Sequence, residues 1–80
     1  MTVTLKYFGA VADATGKKEE EFRFEGVNNS LYRIKIELEG CYPDLRNISY
    51  SFALNQSIAK GDAAVNENDE LALLPPFAGG

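Results

Sequence analysis

The chain has 80 residues, 45% hydrophobic and 25% charged, with a net charge of −4. A chain this short makes one domain and buries only about 60–65% of its unfolded surface, which counts against a self-contained enzyme cleft of roughly 300–1,000 Å³. The acidic balance argues against nucleic-acid binding, which draws on basic patches, and suits a basic protein surface as partner.

Thr2 to Phe8 alternates, with Val3, Leu5 and Tyr7 on one face and Thr2, Thr4 and Lys6 on the other, and predicts a first strand ended by Gly9. Ala10 to Ala14 reads as a helical turn before Gly16. Glu19 to Glu25 places Phe22 and Phe24 two apart and predicts a second strand, hairpinned to the first. The charge run Lys17-Lys18-Glu19-Glu20-Glu21 reads as that hairpin's solvated end. Ser30 is a candidate N-cap, and Leu31, Ile34, Leu38 and Cys41 recur at helical spacing, predicting one amphipathic helix over 31–40. On that stripe Cys41 is expected to be a small buried hydrophobe. Ile36 lies off it, so either the buried face is broad or the residue is partly exposed. Tyr42-Pro43 stops the helix.

Tyr50 to Asn55 predicts a third strand. Residues 55–68 read as irregular, with Ile58 and Val65 as isolated apolar anchors, and Glu70 to Leu74 is the last strand after an Asn66-Glu67-Asn68-Asp69 turn. This order predicts an α+β fold, a four- or five-stranded mixed sheet on one main helix, which the β-grasp arrangement satisfies. A ferredoxin-like alternative needs a second core helix that residues 56–68 do not supply.

Histidine is absent and Cys41 is the one cysteine, so no disulfide, no cysteine-based metal site and no imidazole base is available. No apolar run approaches the ~20 residues of a membrane helix. A cytoplasmic location, with no membrane and no nucleic-acid partner, is expected.

Residues 1–74 are the expected domain and 75–80 an extended, flexible tail, Pro75-Pro76-Phe77-Ala78-Gly79-Gly80. The prolines donate no ladder hydrogen bond, so the sheet must end there. The six tail residues reach roughly 20 Å at ~3.3 Å each. Gly79 and Gly80 can thread a channel too narrow for a Cβ. A frayed terminus is the plain alternative, but no ionisable side chain lies between Leu71 and Gly80. The α-carboxylate of Gly80 is then the tail's only charge. It would need activation by ATP as an acyl-adenylate before a persulfide sulfur could displace AMP and leave a thiocarboxylate. The chain has no Gly-rich phosphate loop, arginine cluster or metal site of its own, so a partner would bind the ATP.

Over nearly its whole length the sequence resembles the small subunit of molybdopterin synthase, in the ubiquitin-like sulfur-carrier group. The resemblance rests on Tyr7-Phe8-Gly9, Tyr42-Pro43-Asp44-Leu45, Ala53-Leu54-Asn55-Gln56 and, most specifically, the run from Asp69 to Gly80. The family usually has Gly-Asp where Asn68-Asp69 stands and Leu where Val65 stands. The resemblance implies adenylation of Gly80 by a ubiquitin-activating-like adenylyltransferase, and thiocarboxylate formation. The tail then docks in the large synthase subunit, as a heterotetramer, and sulfur passes to cyclic pyranopterin monophosphate. It places Phe8, Leu74, Pro75, Pro76, Phe77 and Ala78 at the partner interface, Gly79 in the threading channel, catalytic side chains on the large subunit, and no cofactor or metal on this chain. Strand alternation alone leaves Phe8 and Leu74 open to a core role, and Lys60 reads as a solvated loop lysine or else an ion-pair partner for a carrier-handling protein. A thiamine-pathway sulfur carrier, a ubiquitin-type modifier joined through Gly80 to a lysine, and a plain binding module are the alternatives.

Overall fold

The computed structural model describes residues 1–25 and 29–76. Strand β1 (Thr2–Tyr7) buries Val3, Leu5 and Tyr7 and leaves the alternate residues partly exposed. Helix α1 (Ala10–Thr15) closes on Gly16 at φ 75°. Strand β2 (Glu19–Arg23) pairs antiparallel with β1, Thr2 opposite Arg23 and Lys6 opposite Glu19. It stops two residues short of the predicted Glu25, and Phe24 turns into the core.

Strand β3 (Asn29–Ser30) leads directly into helix α2 (Leu31–Cys41). The Ser30 hydroxyl accepts the Arg33 N–H at 3.4 Å, which is the predicted cap. Leu31, Ile34 and Leu38 are buried as the spacing requires, but Cys41 is exposed, against expectation. Ten residues at 3.6 per turn rotate Cys41 about 80° from Leu31. The core beneath the helix end is filled instead by Leu45, from the 3₁₀ turn Pro43–Asn47. Ile36 is 56% exposed, so the buried face is narrow.

The third predicted strand is β4 (Ser51–Leu54). Residues 55–68 are more regular than expected. Asn55 and Gln56 take φ 49° and 71° and turn the chain into β5 (Ser57–Ile58), a two-residue hairpin of the kind that needs two left-handed residues. Strand β6 (Ala64–Val65) pairs with β3 and buries Val65, while Ile58 is exposed and anchors no core. In the turn before β7 (Glu70–Leu74), Asn68 sits at φ 67°, a conformation that Gly or Asn adopts most readily. Asn at that position therefore preserves the turn.

The five-stranded sheet runs β2-β1-β7-β4-β5, with β1 and β7 parallel at its centre and the other pairs antiparallel. Its inner face, bearing Val3, Leu5, Leu71 and Leu73, packs with Ile34 and Leu38 of α2. Register places Lys6, Ala72, Ala53 and Ile58 in one row across the outer face, with Leu74 and Ser51 in the next. Among the described residues no helix covers that outer face. The chain thus forms a β-grasp, a mixed sheet wrapped on one main helix.

Candidate functional site

The site is built where β1 and β7 end side by side. The Phe8 N–H continues their ladder, donating to Leu73 O at 3.3 Å, and alternation then turns the Phe8 side chain to the outer face beside Leu74. Gly9 takes φ 57° and ψ −132°, a backbone conformation that residues with a side chain rarely adopt. Pro75 packs against it, its Cγ lying 3.5 Å from where a Gly9 Cβ would stand. The root of the tail therefore rests on the β1–α1 turn, and Pro75 and Pro76 are exposed.

Beside that root lies an apolar outer surface. Phe8 is 45% and Ile58 47% exposed, with half-buried Leu74 between them, and Ala72 and Ala53 make a flat floor. Three inter-strand steps separate Phe8 from Ile58, about 14 Å. The Lys6 ammonium pairs with Glu70 at 3.2 Å across the neighbouring rung. Phe8 also edges a shallow groove with Lys6, Ala12 and Glu19. The two interface candidates of the first and last strands, Phe8 and Leu74, are thus brought together and neither is fully buried.

The strand end is braced from the inner side. The Tyr7 hydroxyl donates to Glu20 Oε2, the Tyr42 hydroxyl donates to the same oxygen at 2.7 Å, and Lys17 Nζ donates to Glu20 Oε1 at 3.0 Å and to the Tyr42 hydroxyl at 3.1 Å. Glu20 points inward from an edge strand, a device that discourages further strand pairing. Burial pushes its carboxyl up, but the donated hydrogen bonds of Tyr7, Tyr42 and Lys17 outweigh burial and hold it below its ordinary value. Burial first, and the Glu20 carboxylate second, push the hydroxyls of Tyr7 and Tyr42 upward. Lys17 is raised by its hydrogen bonds to Tyr42 and Glu20. Tyr7 is thereby fixed immediately before Phe8.

Sequence reasoning missed three parts of this site. Ile58 was expected to be an anchor, and the signal that could have placed it was Asn55-Gln56 between two apolar strands. Gly9 was expected only to end β1, and Glu20 was lost in a charge run. Lys60 is exposed, and among the described residues it makes no ion pair. Phe77, Ala78, Gly79 and Gly80 lie outside the described residues. Among those described, no group of His, Cys, Asp and Glu could hold a metal ion, and no helix is long and apolar enough to cross a membrane.

Comparison with solved structures agrees with the fold. SAMP1 from Haloferax volcanii superposes with a TM-score of 0.80 at 24% identity, all of both chains being covered. A Pyrococcus furiosus structure provisionally described as molybdopterin converting factor, subunit 1, gives 0.86 at 17% identity over 96% of this chain and 99% of that one. A complex of subunits 1 and 2 of molybdopterin-converting factor from Helicobacter pylori gives 0.69 at 20% identity, with full coverage of both chains. The family model that matches is the ThiS family, over residues 5–80. With that match running from β1 through the Gly-Gly pair, the chain belongs to the ThiS family of ubiquitin-like sulfur carriers.

Proposed function

We propose that this carrier is the sulfur-donating small subunit of a molybdopterin synthase, with Gly80 as its reacting residue. The observation that carries the reading is the coincidence of tail root and apolar surface. Pro75 leaves the sheet seated on Gly9, next to the exposed Phe8 and Ile58 and the half-buried Leu74, and the sequence continues to Gly79-Gly80. A partner docked on the outer face receives the tail in its own active site. The subunit 1 and 2 complex among the structural neighbours supports a large-subunit partner of that kind.

The chemistry follows from the terminal carboxylate. One of its oxygens attacks the α-phosphate of ATP on an adenylyltransferase, releasing pyrophosphate and giving the acyl-adenylate. A persulfide sulfur displaces AMP, a thiol cleaves the acyl disulfide so formed, and the thiocarboxylate remains. In the large subunit its sulfur passes to cyclic pyranopterin monophosphate, and hydrolysis returns the carboxylate. This chain positions the reacting end and supplies the docking face. The acid–base groups belong to the partners.

A second reading is conjugation of Gly80 to a lysine. It is favoured by the full-length likeness to SAMP1, described as a small archaeal modifier protein. Adding one residue after Gly80 tests the first reading: a folded extended variant should lose sulfur transfer to the pterin. Full transfer by an untrimmed extension would defeat it.

A further inference from the structure

We propose that α2 forms a self-complementary surface through which two copies of the chain associate back to back. Its solvent-facing ridge is Tyr32, Ile36 and Gly40, one turn apart, on the sheet side opposite the tail root and Phe8. Tyr32 is 64% and Ile36 56% exposed, large for apolar groups on so small a body, and a Cβ at Gly40 would meet nothing within 4 Å. The ridge is flanked by shallow grooves, one lined among others by Tyr32, Lys35, Tyr50 and Asp62 and the other by Glu25, Arg33, Ile36 and Glu37. Ridge and groove are the two halves of a helix–helix contact.

The charges select the occupant. Arg33 and Lys35 lie in the N-terminal half of α2, and Glu37 and Glu39 in the C-terminal half. This order opposes the helix macrodipole, and it places each base before its acid at i,i+4, the weaker orientation. The helix has no acid in its first turn and no base in its last. Helix stability therefore does not account for the pattern. Antiparallel docking of a second copy about Ile36 does: Arg33 of each chain meets Glu37 of the other along one flank, and Lys35 meets Glu39 along the other. Tyr32 is carried toward the open notch at Gly40. Parallel docking would set like charge on like. Among the described residues Arg33 and Glu37 make no ion pair within the chain, whereas Lys35 lies 5.4 Å over the Tyr50 ring and Glu39 accepts from the Tyr50 hydroxyl at 2.7 Å. Two helices of 11 residues bury an area at the small end of specific interfaces, below roughly 1,200 Å², so the association is weak and salt-sensitive. Both tail roots, at Pro75 and Pro76, and both outer faces stay accessible.

The test is dilution of the full chain followed by ¹⁵N NMR and sedimentation. Shifts that follow concentration should be confined to the exposed face of α2 and should diminish in high salt. Arg33→Glu and Glu37→Arg should each abolish them, while an equimolar mixture of the two, or the double variant R33E/E37R, should restore them. Ile36→Lys should abolish them with the spectrum outside α2 unchanged, which guards against loss by misfolding. Concentration-independent spectra would overturn the proposal, as would association that persists in both single charge variants or that maps to Phe8 and Ile58 instead.

Discussion

Replacing Phe8 by Ala measures what the outer face contributes to partner binding. A Phe presents about 200 Å², and 45% of Phe8 is exposed in the free chain. Roughly 90 Å² is therefore available for burial under a partner, about 2 kcal/mol at ~25 cal/mol per Å². That is on the order of a 30-fold rise in Kd. The part already covered, roughly 110 Å², costs the monomer about 3 kcal/mol at the same ~25 cal/mol per Å², which a domain holding about 5–15 kcal/mol survives at 25 °C. The Phe8 N–H to Leu73 O bond is backbone and persists in the variant. Calorimetric titration against the large synthase subunit reads the affinity, and circular dichroism confirms the fold. A folded Phe8→Ala chain that binds within about twofold of the parent would remove Phe8 from the interface and refute the patch as its centre.

Glu20→Gln should lower stability by about 1–2 kcal/mol at neutral pH, because the hydroxyls of Tyr7 and Tyr42 and the Lys17 ammonium lose an ionised acceptor. The folded carboxyl is held below its ordinary value of about 4.3, so this stabilisation is complete above that pH and is lost as pH falls through the lower folded value. Urea unfolding from pH 7 downward should show parent and variant converging, and a constant gap would contradict the sign. Gly9→Ala should cost about 1–2 kcal/mol in thermal melting through its positive φ. Its Cβ would stand at ordinary contact distance from Pro75, so an unchanged melting temperature would show the backbone can relax. Gly79→Ala should leave melting unchanged while slowing sulfur transfer on the order of a hundredfold, since a displacement of about 1 Å at a reacting carbonyl has that effect. Equal transfer rates for parent and variant would rule out a narrow channel.

The central elements were legible because their periods are unambiguous. Val3, Leu5 and Tyr7 alternate, and Leu31, Ile34 and Leu38 follow a helical stripe, so core burial decides both. Legibility failed where side chains stop deciding. Cys41 satisfies the stripe's spacing, yet the helix ends and Leu45 arrives from outside the window to take its place in the core. The β4–β5 hairpin depends on left-handed backbone at Asn55 and Gln56, a pair without the glycine that usually signals it. Ile58 was thus read as an isolated apolar anchor although it faces solvent at the edge of the apolar outer surface. Of the site, Phe8 and Leu74 came from the family resemblance, since strand alternation alone left them open to a core role, and their adjacency required knowing that β1 and β7 run parallel. Glu20 reads as one acid among several until two tyrosines from distant segments close on it.

The intact mass of the chain, after incubation with ATP, a ubiquitin-activating-like adenylyltransferase and a persulfide donor, tests the sulfur-carrier mechanism most directly. The account predicts the mass change of one oxygen exchanged for sulfur, located by fragmentation at Gly80 and reversed when the large synthase subunit and cyclic pyranopterin monophosphate are added. A chain that remains a carboxylate under these conditions, or that gains mass only by isopeptide linkage to a lysine of another protein, would contradict it.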